Sequence, residues 1–350
     1  MKVYDNPNRA AGLHAAVLDE VPFPSVALDA AAGLLRRCPR AGATRLRSAT
    51  ALARGLGVGA LHIKDERDRM GLGSFKALGA AYVIARDAQD GSAALNTYVT
   101  ASAGNHGLSV AAGAQAFGAK AVIFLSRQVP EAFATRLSAY GADVVRAGET
   151  YEESMAAAAA SAERTGAVLL SDSSWPGYTE RPYILMEGYL ALMQEVFEQM
   201  ASPPSHIFLQ AGVGGLAGAA AAAARAHWGD GPRIVVVEPD AAPALAASVA
   251  AGEPVTTLGP HSNMGRLDCK EPSLIALKGL SRDADFFVTI SDEEAEAGAD
   301  LCAGHDLHTT PSGAAGVAAA LALDPDQRLR LALDAQARVL AIVSEGPERP

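Results

Sequence analysis

The sequence predicts an α/β protein with two lobes, each built on a mainly parallel, twisted sheet with helices on both faces. Three observations support this prediction. Short apolar runs of strand length alternate with alanine-rich segments of helix length over most of the 350 residues. Hydrophobic residues make up 49% of the chain, which is enough for large buried cores. Aromatic residues contribute only 5%, so helices with small side chains can pack closely on the sheets.

The order of the segments predicts where the two lobes begin and end. The alternation of strands and helices is interrupted at residues 201–204, Ala-Ser-Pro-Pro, which is the most linker-like stretch of the chain. We therefore predict that residues 1–85 and 205–350 form a large domain. Residues 86–204 would form a smaller domain that is inserted into it.

The first half of the chain supplies most of the alternation. Runs of β-branched and aromatic residues predict strands, whereas apolar residues three or four apart predict helices. Glycine and proline mark many of the boundaries. In chain order we predict helices at 27–37 and 48–56, a strand at 60–64, a helix at 77–85, a strand at 98–100, a helix at 107–117, a strand at 121–125, a helix at 131–140, a strand at 142–146, a helix at 150–164 and a strand at 168–170.

The second half begins with a long apolar and charged segment that predicts a single helix at 182–200. Strand–helix alternation then resumes, which implies parallel pairing. The carboxyl ends of parallel strands lie at one edge of a sheet, and this edge is where such sheets bind ligands. The remaining predictions are strands at 207–210, 233–237, 286–290 and 338–343, and a helix at 293–302.

Composition excludes several classes of partner. The chain has 29 Lys and Arg against 39 Asp and Glu, a net charge of −10, and no basic run, so we expect no nucleic-acid partner. We find no leader segment and no apolar run of membrane-spanning length, so we expect no membrane partner. Cys38, Cys269 and Cys302 are scattered without metal-binding spacing. We therefore expect no metal site and a cytoplasmic protein.

Lys76 is the first candidate for chemistry, and it lies in the stretch Gly-Ser-Phe-Lys-Ala-Leu-Gly at residues 73–79. The stretch connects a predicted strand to a predicted helix. Partial burial beside Phe75 and nearness to a helix N-terminus both disfavour the ammonium form, so we expect a lowered pKa for Lys76. An amine of this kind suits Schiff-base chemistry. The alternative is an ordinary solvated lysine at a helix start.

Residues 210–218, Gln-Ala-Gly-Val-Gly-Gly-Leu-Ala-Gly, form a glycine-rich loop between a strand and a helix. Glycines allow backbone N–H groups to converge on an anion, and the helix N-terminus adds favourable potential. The loop therefore predicts a phosphate site. A tight turn used only for packing, or a nucleotide site, are the alternatives.

Two further loops follow predicted strands. The loop Thr-Ala-Ser-Ala-Gly-Asn-His-Gly at residues 100–107 offers N–H donors, the hydroxyl of Ser102 and the amide of Asn105, which suits a carboxylate and a ring oxygen. Its alternative role is a capped helix start. Asp172 lies at another strand end, where it could act as a base with Trp175 excluding water, or serve only as a loop residue.

These motifs together resemble the pyridoxal-phosphate (PLP) enzymes of the tryptophan synthase β-subunit type, known as fold type II. Within that group the chain is most similar to the diaminopropionate ammonia-lyases, over about residues 59–346. The Asp…Trp-x-Gly-Tyr and Cys-x-Glu-Pro segments are the discriminating ones. The segments that support the resemblance are residues 64–66, 75–79, 102–107, 172–178, 186–189, 209–214, 237–239 and 269–272.

The resemblance implies how the cofactor, PLP, would be held. Lys76 would form the Schiff base, and Asn105 would contact the 3′-oxygen of the ring. Ser344, near the last strand, would meet the pyridine nitrogen. Ser312 is the second choice, and its alternative role is the N-cap of a helix. The phosphate would be held by the backbone N–H groups of four consecutive residues, namely Gly212, Val213, Gly214 and Gly215.

The resemblance also implies the substrate pocket. Asp172 or Lys76 would take the α-proton, and Trp175 would lie beside the substrate. The family has an aspartate, associated with D-substrates, where this chain has Ala103, so we expect a preference for L-substrates. The substrate carboxylate would lie in a pocket lined by Ser102, Ala103, Gly104 and His106.

Lys270 is a second departure from the family, which usually has a small residue at that position. It would either favour a substrate with an additional anionic group or pair with Glu271 or Asp268.

The function implied is PLP-dependent α,β-elimination from a β-substituted α-amino acid, most simply from 2,3-diaminopropionate to pyruvate and ammonia. Two alternatives remain open from the sequence. One is a serine, threonine or 3-hydroxyaspartate dehydratase, and the other is a PLP-binding paralogue without catalysis. By resemblance, a small amino acid is the expected substrate and a homodimer is the expected assembly.

Overall fold

Two sheets organise the molecule, as seen in a computed structural model that describes residues 1–347. Within these residues one sheet has seven strands and the other has four. The large sheet takes strands from both ends of the chain, whereas the small sheet is built from residues 97–169. In chain order the strands are β1 (Lys2–Asp5), β2 (Leu46–Ser48), β3 (Ala60–Asp65), β4 (Thr97–Ala101), β5 (Lys120–Leu125), β6 (Asp143–Arg146), β7 (Val168–Leu169), β8 (His206–Gln210), β9 (Arg233–Pro239), β10 (Phe286–Ile290) and β11 (Arg338–Val343).

Helices cover both faces of the sheets, and most are short and rich in alanine. None in the described part of the chain is long and apolar enough to cross a bilayer. In chain order the helices are α1 (Leu28–Leu35), α2 (Thr50–Leu56), α3 (Lys76–Gln89), α4 (Asn105–Ala116), α5 (Glu131–Ser138), α6 (Tyr151–Thr165), α7 (Glu180–Gly188), α8 (Leu190–Gln199), α9 (Gly215–Trp228), α10 (Ala244–Ala251), α11 (Leu274–Asp283), α12 (Asp292–Ala303), α13 (Pro311–Ala322) and α14 (Pro325–Leu331).

The large sheet has the strand order β1-β10-β9-β8-β11-β3-β2, and its five inner strands are parallel. Strand β9 shows how it is buried: Ile234 and Val236 enter one apolar core, while Val235 and Val237 enter the core on the opposite face. A strand buried on both faces is apolar at nearly every position, because successive side chains enter opposite cores. The small sheet, β6-β5-β4-β7, is parallel throughout. The predicted fold class is confirmed.

Several predicted elements match closely, including the strands at 286–290 and 338–343. Others were missed. The edge strands β1 and β2 are antiparallel to their neighbours, and helices α10, α11, α13 and α14 were not predicted. Short edge strands carry little periodic signal, because only one side of the strand pairs with the sheet.

The prediction of one helix at 182–200 is wrong, because the chain ends α7 at Gly188 and begins α8 at Leu190. The physical reason is the close approach of α7 to α3. A Cβ added at Gly188 would lie 2.8 Å from both the Leu78 carbonyl oxygen and the Tyr82 Cβ. The break places Tyr189 between the two helices, fully buried.

The fold brings loops of the two sheets together at the carboxyl ends of their strands. Lys76 begins α3 at the end of the loop that follows β3, and Asp172 follows β7 of the small sheet. The two side chains are in contact, so the carboxyl edges of both sheets face one site.

Candidate active site

Lys76 lies at the centre of the site, as the first residue of α3. Its backbone N–H donates to the Ser74 hydroxyl at 3.2 Å, and the N–H of Phe75 donates to the Ser344 carbonyl at 3.2 Å. The segment is therefore tied to the end of β11. The Lys76 Nζ donates a hydrogen bond to the Asp172 carboxylate and lies 5.3 Å from the centroid of the Phe75 ring.

The charges of Lys76 and Asp172 stabilise one another. Burial disfavours the Lys76 ammonium, but the attraction of the Asp172 carboxylate outweighs burial and raises the pKa of Lys76. Burial likewise disfavours the Asp172 carboxylate, yet the positive charge of Lys76 holds the pKa of Asp172 below its usual range. The expectation of a lowered Lys76 pKa is therefore wrong for the cofactor-free chain, since the sequence did not show that Asp172 is its direct partner.

The glycine loop after β8 has the shape of an anion cradle. A Cβ at Gly212 would lie 3.0 Å from the Arg266 carbonyl oxygen and from the Cys269 Sγ, so a side chain there would crowd its neighbours. Gly214 has a φ of +96°, which favours glycine, and it forms the N-cap of α9. Because the N-cap residue is a glycine, it has no side chain to compete for the first N–H groups of α9, which suits a bound phosphate.

The loop before α4 presents a second set of backbone donors. The N-cap of α4 is Gly104, and no side chain among the described residues caps this helix. The Ser102 hydroxyl accepts a hydrogen bond from the Gly104 N–H at 3.2 Å, and a Cβ at Gly107 would lie 2.3 Å from the Ser102 carbonyl oxygen. Ala103 packs against the apolar core and carries no base. Free N–H groups at a helix start suit a carboxylate.

Asn105 is oriented by residues that the sequence did not single out. Its side-chain amide donates to the Glu345 carboxylate, which also accepts a hydrogen bond from the Thr310 hydroxyl. Arg266 lies beside the same carboxylate, with its Nε 3.7 Å from Glu345 Oε2. The only sequence signal for Glu345 was its position directly after the predicted Ser344.

His106 is buried and held in one tautomer. Its Nε2 lies 2.8 Å from the Leu170 carbonyl oxygen, which can only accept, so Nε2 carries the proton. Its Nδ1 is buried without a hydrogen-bond partner among the described residues, and burial lowers the pKa of His106. The neutral ring offers an acceptor at Nδ1. A substrate carboxylate in this loop would therefore rely on backbone N–H groups rather than on the imidazole.

The loop that carries Asp172 is held by Tyr178. The Tyr178 hydroxyl accepts from the Ser171 N–H at 3.0 Å and donates to the Leu169 carbonyl oxygen at 2.8 Å. Burial raises the pKa of Tyr178 to about 12. The Trp175 ring stacks on the Tyr178 ring with centroids 4.3 Å apart, so Trp175 is fixed within the same loop.

Two serines near the end of β11 were candidates for the pyridine nitrogen. Ser344 is buried, and its backbone N–H donates to the Gly313 carbonyl at 3.4 Å. The Ser312 hydroxyl accepts from the Arg266 N–H at 3.2 Å. The N-cap of α13 is Thr310, whose side chain accepts from the Gly313 N–H, so Ser312 does not cap this helix.

Lys270 anchors the loop at residues 252–273, which packs against the glycine loop. Its Nζ donates to the carbonyl oxygens of Ala241 and Pro260, both at 2.9 Å, and to Asp268 at 2.6 Å. All its donors are used, because an ammonium has three. The structure therefore supports pairing of Lys270 with Asp268 rather than binding of a substrate anion.

Comparison with known proteins agrees with this geometry. The sequence model of one protein family, the pyridoxal-phosphate dependent enzymes, matches residues 38–345 of this chain. The chain belongs to this family. The residues present fit PLP. The glycine loop before α9 can take the phosphate, and Lys76 can supply the amine for the Schiff base. The Asp172 carboxylate, in contact with Lys76, can accept a proton.

The chain is also similar to characterised members of the family. It is 34% identical to the diaminopropionate ammonia-lyase of Salmonella typhimurium, over 90% of this chain and 88% of the relative. The crystal structure of the Escherichia coli diaminopropionate ammonia-lyase in complex with an aminoacrylate–PLP azomethine reaction intermediate superposes with a TM-score of 0.87 at 28% identity, covering 99% of this chain and 93% of that one. The same enzyme in complex with D-serine gives a TM-score of 0.86, with the same identity and coverage.

Proposed function

We propose that this chain is a PLP-dependent carbon–nitrogen lyase that converts 2,3-diaminopropionate into pyruvate and ammonia, with a preference for the L-isomer. The contact between Lys76 and Asp172, in a site that also has a glycine loop at the start of α9, is the observation that supports this function most strongly. Its family membership and its similarity to diaminopropionate ammonia-lyases support the choice of substrate.

Each part of the site has a defined task in an elimination. PLP, when bound, supplies the electron sink for a carbanion at the α-carbon. The N–H groups of the glycine loop, Gly212 to Gly215, would hold its phosphate, Asn105 would contact its 3′-oxygen, and Ser344 would face its pyridine nitrogen. The N–H groups at the start of α4 would bind the substrate carboxylate.

Asp172 and Lys76 are the residues to which we assign proton transfer. Asp172 is ionised because the Lys76 ammonium holds its pKa low, so the carboxylate carries no proton and has a site that can accept one. We assign removal of the α-proton of the L-substrate to Asp172. The Lys76 amine, in hydrogen-bond contact with that carboxylate, can pass a proton between the substrate and Asp172.

The leaving group is tested by product stoichiometry. Purified enzyme loaded with PLP is incubated separately with L-2,3-diaminopropionate, L-serine, L-threonine and 3-hydroxyaspartate, and keto acid and ammonia are both measured. We expect the highest kcat/KM with the diamine and two ammonia for each pyruvate. A higher kcat/KM with a hydroxyl substrate, at one ammonia per keto acid, would identify a dehydratase. Cofactor binding with no keto acid from any substrate would indicate a non-catalytic paralogue.

Ala103 provides a test of substrate stereochemistry. The small apolar side chain cannot take a proton, so removal of the α-proton of a D-substrate lacks a base in the loop before α4. We expect Ala103→Asp to raise kcat/KM for D-2,3-diaminopropionate by about tenfold or more, with a smaller change for the L-isomer. Ala103→Asn is the matched control, because it has the same shape without the base. Equal D-activity in the two variants would contradict this assignment.

We also propose a domain closure and an assembly. Residues 86–204 would form the smaller domain and close over the substrate, since the loops of both sheets contribute to the site.

A homodimer follows from the resemblance alone, and sedimentation of the holoenzyme tests it. A cytoplasmic location is supported by the three free cysteines, none of which forms a disulfide.

A further inference from the structure

Tyr189 is a buried residue of the site for which the elimination described above has no use. It lies at the break between α7 and α8 and is 1% exposed. Its ring lies between the backbones of two helix starts, since a Cβ at Gly79 of α3 would be 2.7 Å from Tyr189 Cε1 and one at Gly215 of α9 would be 3.6 Å from Cε2. Phe75 packs edge-on against it, with ring centroids 5.0 Å apart. Two glycines thus leave room for this ring beside the Lys76 segment and the phosphate loop.

The hydroxyl of Tyr189 is buried and has no hydrogen-bond partner among the residues that the structure describes. A buried polar group without a partner is costly, and most such groups in folded proteins are satisfied. Burial raises the pKa of Tyr189, with smaller effects from Lys76 and Asp172, so the hydroxyl keeps its proton and can donate. It therefore needs an acceptor that the chain itself does not supply.

A phosphate at the start of α9 would be such an acceptor. The loop at residues 210–218 contains no Lys or Arg, so a phosphate dianion there depends on N–H and hydroxyl donors. The Tyr189 ring lies beside Gly215, the first residue of α9, since a Cβ built there would be 3.6 Å from Tyr189 Cε2. We propose that the Tyr189 hydroxyl donates a hydrogen bond to the phosphate of bound PLP. The inference depends on the cofactor site of the proposed function and not on the identity of the substrate.

Asp172 is the other acceptor within electrostatic range of Tyr189, but the Tyr189 hydroxyl makes no hydrogen bond to it in the described structure. A role toward Asp172 would alter the pH dependence of turnover rather than the affinity for the phosphate group. The two roles are therefore separable by experiment.

Tyr189→Phe removes the hydroxyl and keeps the ring that packs on Phe75 and the two glycines. Dissociation constants for PLP and for pyridoxal, which lacks the phosphate, are measured on the cofactor-free wild type and variant by the change in visible absorbance on binding. We expect the PLP constant to rise about 10- to 100-fold, as for a lost hydrogen bond to a charged group, while the pyridoxal constant changes by less than about threefold. The unfolding midpoint of the cofactor-free variant should stay the same or rise, because the lost hydroxyl had no partner.

Tyr82→Phe is the matched control. Its hydroxyl is also buried but already donates to Glu187 at 2.6 Å, so the variant should lose stability and keep wild-type affinity for PLP. Unchanged PLP affinity in Tyr189→Phe, or an equal loss of PLP and pyridoxal affinity, would overturn the proposed phosphate contact. A wild-type chain that binds no PLP would overturn the proposed function as well. If the wild type binds PLP and eliminates ammonia, a negative result with Tyr189→Phe contradicts only the proposed phosphate contact of Tyr189.

Discussion

Replacing Asp172 with asparagine is expected to lower kcat for L-2,3-diaminopropionate by about 100- to 10,000-fold, the usual effect of losing a general base. The amide has the same shape but cannot take the α-proton. PLP should stay attached, because the pKa of Lys76 is raised by Asp172, and loss of that carboxylate favours the neutral amine that condenses with the cofactor.

Steady-state kinetics and the visible spectrum of the same preparation check both parts of this prediction. Asp143→Asn, on the exposed first position of β6, is a suitable control and should behave as wild type. Wild-type turnover in Asp172→Asn would exclude Asp172 as the base and would favour Lys76 in that role. A colourless variant would mean that Asp172 acts mainly in cofactor attachment.

Replacing Lys76 with alanine should have the largest effect of any substitution in the chain. It removes both the amine that binds the cofactor covalently and the group in contact with Asp172, so we expect kcat/KM to fall about a thousandfold or more. The glycine loop remains, so PLP should still bind but should be lost on extended dialysis. The substitution also leaves the Asp172 carboxylate without its cation.

Dialysis followed by absorbance measurement, together with kinetics, tests this prediction. Lys120→Ala, at the exposed start of β5, is the control and should keep both the cofactor and the activity. Retention of PLP through dialysis by Lys76→Ala would show that another lysine forms the covalent link.

Much of the fold could be predicted because its central strands are short, mostly buried and largely apolar. Strand β11, at the predicted boundaries, illustrates this, since a strand covered on both faces leaves an unbroken apolar run in the sequence. The site loops could be found for a related reason. Parallel strands end at one edge, so glycine, hydroxyl and acidic residues after successive strands meet in space. The rule places Lys76 and Asp172 each at the carboxyl edge of its own sheet, whereas their contact, 96 positions apart in the chain, depends on how the two sheets face one another.

What could not be predicted depends on contacts between distant elements. The helix break at Tyr189 is set by the close approach of α7 to α3, which a single helical period does not reveal. The carboxylate of Glu345 reaches Asn105 only because β11 ends beside the start of α4. The raised pKa of Lys76 has the same origin, since local sequence shows the burial of a lysine but not the charge opposite it.

Borohydride reduction of the PLP-loaded protein, followed by peptide mapping, tests most directly whether Lys76 holds the cofactor. We predict one labelled peptide, containing Lys76, and loss of the visible absorption on reduction. Lys64, the preceding lysine in the chain, is fully buried and bonded to Glu195 at 2.6 Å, so it should remain unlabelled. Label on any lysine other than Lys76, in a preparation that converts 2,3-diaminopropionate to pyruvate, would contradict the assignment of the site.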